Sequence, residues 1–254
     1  MTLPKLIMRT YLYVRYLFHR TTRTGSFGSD RADYILTPHE ETENLLKNAL
    51  FRHHVKQFHE ASCSVASVVN GINAILDIQG AKDLIPITQQ GILERVRAGH
   101  WKERMGEGGH NGRRGLPLSV LARVVEESLE VYGINYRLLE TVEGQPRGRR
   151  SRFIRRTLES RLRQFEERGD CLIIAHFDQG SFLRELNIPH ISPVGGFDVE
   201  TGRVTILDVD SSQHHPYQVG FDTFYRGIST NYNNAFSPLG LGRGGYVFID
   251  LAGV

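Results

Sequence analysis

Residues 62–78, SCSVASVVNGINAILDI, place Val65, Val68, Val69, Ile72, Ile75 and Leu76 at helical spacing, with Ser62 at the N-cap position. So apolar a helix must be buried, and the rest of the chain has to supply the elements that enclose it. The chain has 254 residues, 40% hydrophobic and 23% charged, which is ordinary globular usage and enough for a sizeable core without disulfides or metals. A membrane bundle and a disordered tail are excluded on the same grounds.

Further helices are expected from Thr37-Pro38 with Glu40, Glu41 and Leu45 to Leu50, near residues 88–98, and at 117–131, where Leu118, Leu121, Val124, Val125 and Leu129 share a face and Pro117 suits the first turn. Past the polar stretch 143–150, a basic helix carries Ile154, Leu158, Leu162 and Phe165. Its segment has eight arginines between 147 and 163, but no aromatic residues interleave for base stacking, so a solvated face is preferred to a nucleic-acid site. The pattern then changes to strands at 171–177, 190–199, 203–210 and 244–251, with a hairpin turn at Glu200-Thr201-Gly202-Arg203. Helices first and a mainly antiparallel sheet afterwards predict an α+β domain.

Residues 1–24 hold Lys5, Arg9, Arg15, Arg20 and Arg23 and no acidic residue; removing those five charges from the net +3 leaves about −2 for the remainder. The division expected is a basic amphipathic extension and linker at 1–33 and a compact domain at 34–254. Charges interrupt the extension too often for a membrane span or a secretory signal. An aromatic, Arg-rich segment at residues 3–20 suits peripheral contact with a membrane or a protein, although docking on its own domain is the plainer reading. Cys63 and Cys171 are too few for a disulfide framework; with no signal sequence, the expected location is the cytoplasm.

Cys63 falls in the first turn of the buried helix, where free N–H groups and the positive end of the helix dipole favour a thiolate. Cys171, in an apolar strand, has no such surroundings and is expected to be a structural thiol. Gln57 lies upstream of Cys63, and His190 and Asp208 follow on consecutive strands. A histidine can take the thiol proton and return it to a leaving amine, an aspartate can hold the ring in the right tautomer, and a glutamine amide can donate to an oxyanion. Cysteine early, histidine and an orienting residue late, is the chain order of papain-like enzymes.

Two segments, QFHEASCSVASVVNGINAI and HISPVGGFDVETGRVTILDVD, resemble the phytochelatin synthase family, papain-fold enzymes acting on the tripeptide glutathione, γ-Glu-Cys-Gly. Gln57 six residues before Cys63, then Ala66, Ser67, His190, Ser192, Pro193 and Asp208 fit its pattern, over roughly residues 34–251. The resemblance implies a papain-like fold, Cys63 as nucleophile, His190 as general base and acid, Asp208 as its orienting carboxylate and Gln57 as oxyanion donor. It also implies a γ-glutamylcysteine dipeptidyl transferase or peptidase working through an acyl-enzyme on Cys63. No cofactor is expected beyond a heavy-metal thiolate of glutathione as substrate, and the chain is similar to short bacterial forms that mainly hydrolyse.

Ser64 stands where the family usually has glycine, Pro189 where glycine precedes the histidine, and Ser211 where an arginine follows the aspartate. The substrate-binding set expected is therefore Ser192, Ser211, His214 and His215, with one of the two histidines meeting a substrate carboxylate in place of the arginine. His53, His54, His59, His214 and His215 match no metal-ligand spacing. Alternatives are a thiol acyltransferase or peptidase of the same fold with another acyl substrate, and a catalytically inactive binding protein. A two-residue turn at Thr201-Gly202 would set Asp208 opposite Gly195, too far along the ladder to meet His190. The triad therefore requires a bulge or bend at Gly195-Gly196 or a wider turn.

Overall fold

The computed structural model describes residues 41–80, 85–182, 188–232 and 241–253, with scattered positions between 7 and 36. Strands β1 (Ile35–Leu36), β2 (Tyr136–Glu143), β3 (Cys171–Asp178), β4 (Pro189–Asp198), β5 (Arg203–Ile206), β6 (Tyr217–Gly220) and β7 (Gly245–Leu251) form one sheet. Its order is β1-β6-β5-β4-β3-β7-β2, with every neighbouring pair antiparallel. Helices α1 (Leu45–Arg52), α2 (Cys63–Ile78), α3 (Gln89–Arg95), α4 (Trp101–Met105), α5 (Leu118–Val131), α6 (Arg149–Arg168) and α7 (Phe221–Ile228) complete the expected α+β architecture.

The apolar helix α2 lies across β4 and β3, and α6 packs on the same two strands. Burial of all eight residues of β3 follows from this double cover. Closeness is obtained with glycine: a Cβ on Gly71 of α2 would come within 2.6 Å of Leu172 Cδ2 on β3. α6 buries Ile154, Leu158, Leu162 and Phe165 as its spacing predicts; Arg149, Arg150, Arg152, Arg156 and Arg168 are exposed, whereas Arg161 lies over the Phe248 ring and donates to Tyr246 OH at 3.0 Å. Arg155 pairs with Asp222, Arg161 with Glu140 and Arg163 with Glu159, so several of these charges are engaged at the surface.

Several boundaries differ from expectation for local reasons. The first helix starts at Leu45, because Asn44 caps it by accepting Lys47 N–H at 2.8 Å and donates to Phe165 O at 2.6 Å; residues 37–40 lie outside the described ones. The helix expected at 88–98 stops at Arg95, followed by a 3₁₀ turn with Gly99 and His100 at φ 62° and 54° before α4. Glu127 accepts the freed N–H groups of Arg97 and Ala98 at 2.8 and 2.6 Å. Pro117 is the N-cap of α5 instead of its first helical residue. The strand expected at 203–210 ends at Ile206. β2, β6 and α7 carried no clear signal: β2 is an edge strand with mostly exposed residues, and β6 has four residues.

The described positions between 7 and 22 are helical. Ile7, Tyr13, Val14, Leu17 and Phe18 are exposed there. No helix among the described residues is long and apolar enough to cross a membrane.

The β4–β5 hairpin uses both devices that the triad requires. Its turn spans residues 199–202, since Asp198 pairs with Arg203 and Phe197 with Val204, two places wider than a two-residue loop. The side chain of Asp198 accepts from Glu200 N–H, Thr201 N–H and Thr201 Oγ and holds the turn. A bulge between Val194 and Gly196 then shifts the ladder by one more residue, and Leu207 N–H donates to Pro193 O at 3.0 Å. Gly195 is required for space, since its φ lies outside the left-handed region and a Cβ would sit 2.6 Å from Leu207 Cγ. Gly195→Ala is expected to cost about 1–3 kcal/mol through overpacking. Urea unfolding measures it, and wild-type stability would contradict the assignment.

Candidate active site

Cys63 opens α2, and its helix is clamped to the strand that carries the histidine. Ser67 Oγ lies 2.7 Å from Cys63 O and 2.9 Å from Ile191 O, able to give its proton to either. Behind this turn, the buried Trp101 donates Nε1–H to Ser64 Oγ at 3.0 Å. Ser62 occupies the N-cap position, but its hydroxyl makes no cap bond to the helix and instead bonds His59 N–H and His59 O. The N–H groups of Cys63 and Ser64 thus have no acceptor among the described residues.

His190, on β4, places Nε2 2.8 Å from Asp208 Oδ1, and Cys63 is near enough to act on the charge of its ring. Nε2 is therefore committed to the carboxylate and Nδ1 is left for sulfur. Phe177, its cross-strand partner on β3, presses a ring edge-on at 5.5 Å. Asp208 is fully buried and accepts from Asp210 N–H at 2.9 Å, Tyr217 OH at 2.5 Å and Gln179 Nε2 at 3.3 Å in addition to His190.

Burial opposes a charged imidazole, yet the Asp208 charge and hydrogen bond outweigh it and hold the His190 pKa above its ordinary 6.5, with the nearby Cys63 adding to the effect. Burial likewise opposes the Asp208 anion, but the His190 charge and hydrogen bond, with those from Tyr217 and Asp210, keep it below 3.8. The result favours an imidazolium beside the thiol. Cys171 is the opposite case: fully buried in β3, its thiol is pushed up by burial and by Asp170.

Gln57 N–H donates to Val209 O at 2.7 Å, which ties the loop before Cys63 to the Asp208 segment. The Gln57 side-chain oxygen is buried and unbonded among the described residues. The main chain of Asp208 is held as well: its carbonyl accepts from His54 Nε2 at 2.9 Å and Lys56 Nζ at 2.6 Å. Burial, then the Lys56 charge, lowers His54 to about 4, so it serves as a neutral donor at ordinary pH.

The other expected residues are dispersed. Ser192 is fully buried and its hydroxyl accepts from Val209 N–H at 3.3 Å, a brace between β4 and the Asp208 segment with no surface for substrate. Ser211, His214 and His215 are exposed on the loop after Asp210. Gln179 and Tyr217 were missed because a short turn and a four-residue strand bring them to Asp208. Pairing of Tyr217 with Ile206 is the signal that places it there, and it exists only once the sheet is built. Among the described residues, no group of three or more His, Cys, Asp or Glu could hold a metal ion.

Stability contributed by the pair is complete above the unfolded Asp208 value of 3.8 and below the unfolded His190 value of 6.5. It is lost as pH falls through the depressed value of folded Asp208 or rises through the raised value of folded His190. Urea midpoints followed from about pH 5 to 9 should decline on the alkaline side for wild type and much less for Asp208→Asn. Parallel curves would contradict the coupling.

No curated protein matches the sequence. A family model described as phytochelatin synthase matches residues 22–240, most of the chain, and a papain-like α+β fold is consistent with that match. With the match covering both the cysteine helix and the His190–Asp208 hairpin, the chain belongs to the phytochelatin synthase family.

Proposed function

We propose that this family member is a cysteine-dependent γ-glutamylcysteine dipeptidyl transferase or peptidase that acts on glutathione or a related small γ-glutamyl peptide. The observation carrying this reading is the buried His190–Asp208 pair near Cys63, which opens a buried helix, in a chain of this family. The Cys63 thiolate attacks the carbonyl carbon of the Cys-Gly bond while His190 holds the proton. Gln57 Nε2 and the unoccupied Cys63 N–H donate to the resulting oxyanion. His190 then gives its proton to the glycine nitrogen as the C–N bond breaks, leaving γ-Glu-Cys as a thioester on Cys63.

Water, deprotonated by His190, releases γ-Glu-Cys and makes the reaction a peptidase. Attack by the amine of a second peptide gives transfer instead. The step uses only the residues named and requires no cofactor; a heavy-metal thiolate of glutathione enters as an alternative form of substrate. Ser211, His214 and His215, exposed beyond Asp210, are proposed to line the approach.

Mass spectrometry after incubation with glutathione tests the reading directly. Wild type should release glycine and carry a γ-Glu-Cys adduct on Cys63, while Cys63→Ala should lose at least about a thousandfold in rate. If Cys63 alkylates readily but glutathione gives neither adduct nor product, the thiol chemistry stands and another acyl donor is the substrate.

A further inference from the structure

We propose that the N-terminal turns of α6 are a docking surface for an anionic lipid bilayer, on which Phe153 enters the interface and Arg147, Arg149, Arg150, Arg152 and Arg156 meet the headgroups.

Positive charge is concentrated in two stretches of this chain. Residues 1–24 and 147–156 hold eleven of the 31 basic residues and none of the 28 acidic ones, which leaves the remainder with a net charge of −8. The second stretch has six arginines in ten residues, at the end of a helix that tolerates them least. α6 starts after Gly148 with no side-chain cap and no acid in its first turn, where the helix dipole disfavours cations. Arg149 and Arg152, three apart, and Arg152 and Arg156, four apart, are neighbours on the helix surface and repel one another.

Further along, the same helix balances its arginines. Arg155 pairs with Asp222, Arg161 with Glu140, Arg163 with Glu159 and Arg168 with Asp170. Arg147, Arg149, Arg150, Arg152 and Arg156 are exposed, and none of them has an ion pair among the described residues. The unbalanced charge is thus confined to one end of α6. An anionic partner relieves both the mutual repulsion and the conflict with the dipole.

Two further features say which anionic partner fits. Phe153, four residues after Arg149 and three before Arg156, shares their side of the helix and is 69% exposed. A cleft of about 200 Å³ on the same surface is lined by Arg152, Arg155, Arg156, Glu159 and Phe221, and its three guanidinium groups against one carboxylate suit the phosphate of a headgroup. One ring is no stacking platform for successive bases, which argues against nucleic acid. A ring among clustered arginines suits a bilayer interface, where the apolar group enters and the cations stay at headgroup level. The first basic stretch repeats the combination: Ile7, Val14 and Leu17 expose aliphatic side chains, which neither stack on bases nor pair with phosphate, and Arg9, Arg15 and Arg20 alternate with them in sequence. Two modest anchors of this kind hold a protein to a membrane where one does not.

Sedimentation of the full chain with lipid vesicles tests the surface and requires no substrate. Vesicles of phosphatidylcholine with phosphatidylserine should bind the protein about tenfold more tightly than phosphatidylcholine alone near about 0.1 M salt, and the difference should collapse towards about 1 M. Joint replacement Arg149→Gln, Arg150→Gln, Arg152→Gln and Arg156→Gln should weaken binding to the anionic vesicles about a hundredfold. Reaction of Cys63 with iodoacetamide should be unchanged in that variant, which shows the fold intact. Lysine at the same four positions should retain most of the affinity, because headgroup attraction here requires charge more than guanidinium geometry. Phe153→Ala should weaken binding about fivefold at either salt concentration. Equal binding to neutral and anionic vesicles, binding to neither, or a glutamine variant that binds as wild type overturns the proposal. Binding of a single-stranded oligonucleotide without binding of vesicles overturns it too, and assigns the surface to nucleic acid.

Discussion

A single buried carboxylate organises the site. Asp208 has no exposed surface, and an anion so placed is tolerated only if donors surround it. Four groups do so: the His190 ring, the Asp210 main chain, the Tyr217 hydroxyl and the Gln179 amide. They come from β4, the segment after β5, β6 and the turn after β3, so satisfying one charge requires most of the sheet to be in register. Because the same charge raises the His190 pKa, the sheet's register and the protonation state beside Cys63 are coupled.

The nucleophile is positioned by a different means. α2 is apolar enough to be buried wherever it packs, and its closeness to β3 depends on Gly71. Its rotation and height are set by polar contacts, Ser67 to β4 and Trp101 to Ser64. Hydrophobic burial supplies most of the driving force for docking the helix but is non-directional; the few buried hydrogen bonds decide where the sulfur points. The loop ahead of the helix is similarly tied down, through Gln57 N–H to Val209 O and the His59–Ser62 bonds. Both sides of the thiol are thus held by elements that also hold Asp208.

Much of this was legible in the chain. Helical periodicity located α2, α5 and α6 with their buried faces, and continuous apolar runs located β3, β4 and β7. Residue types in order along the chain singled out Gln57, Cys63, His190 and Asp208. Simple ladder arithmetic also showed that an ordinary two-residue hairpin would keep His190 and Asp208 apart, which pointed to the glycine pair. What it could not choose was between a bulge and a wider turn, and the hairpin has both. Steric room beside Leu207, a residue twelve positions away, is what makes Gly195 necessary, and no local propensity contains that information.

Sequence alone determined the helices, the principal strands and the four residue types suited to thiol chemistry, because periodicity and side-chain chemistry are local properties of a chain. Tertiary structure decided the partners. Tyr217 and Gln179 reach Asp208, Ser192 turns inward as a brace, and Arg114 meets His59 across fifty-five residues. Each of these depends on distances between segments remote in sequence, and those distances follow from strand register and helix packing, which are settled only when the whole core closes.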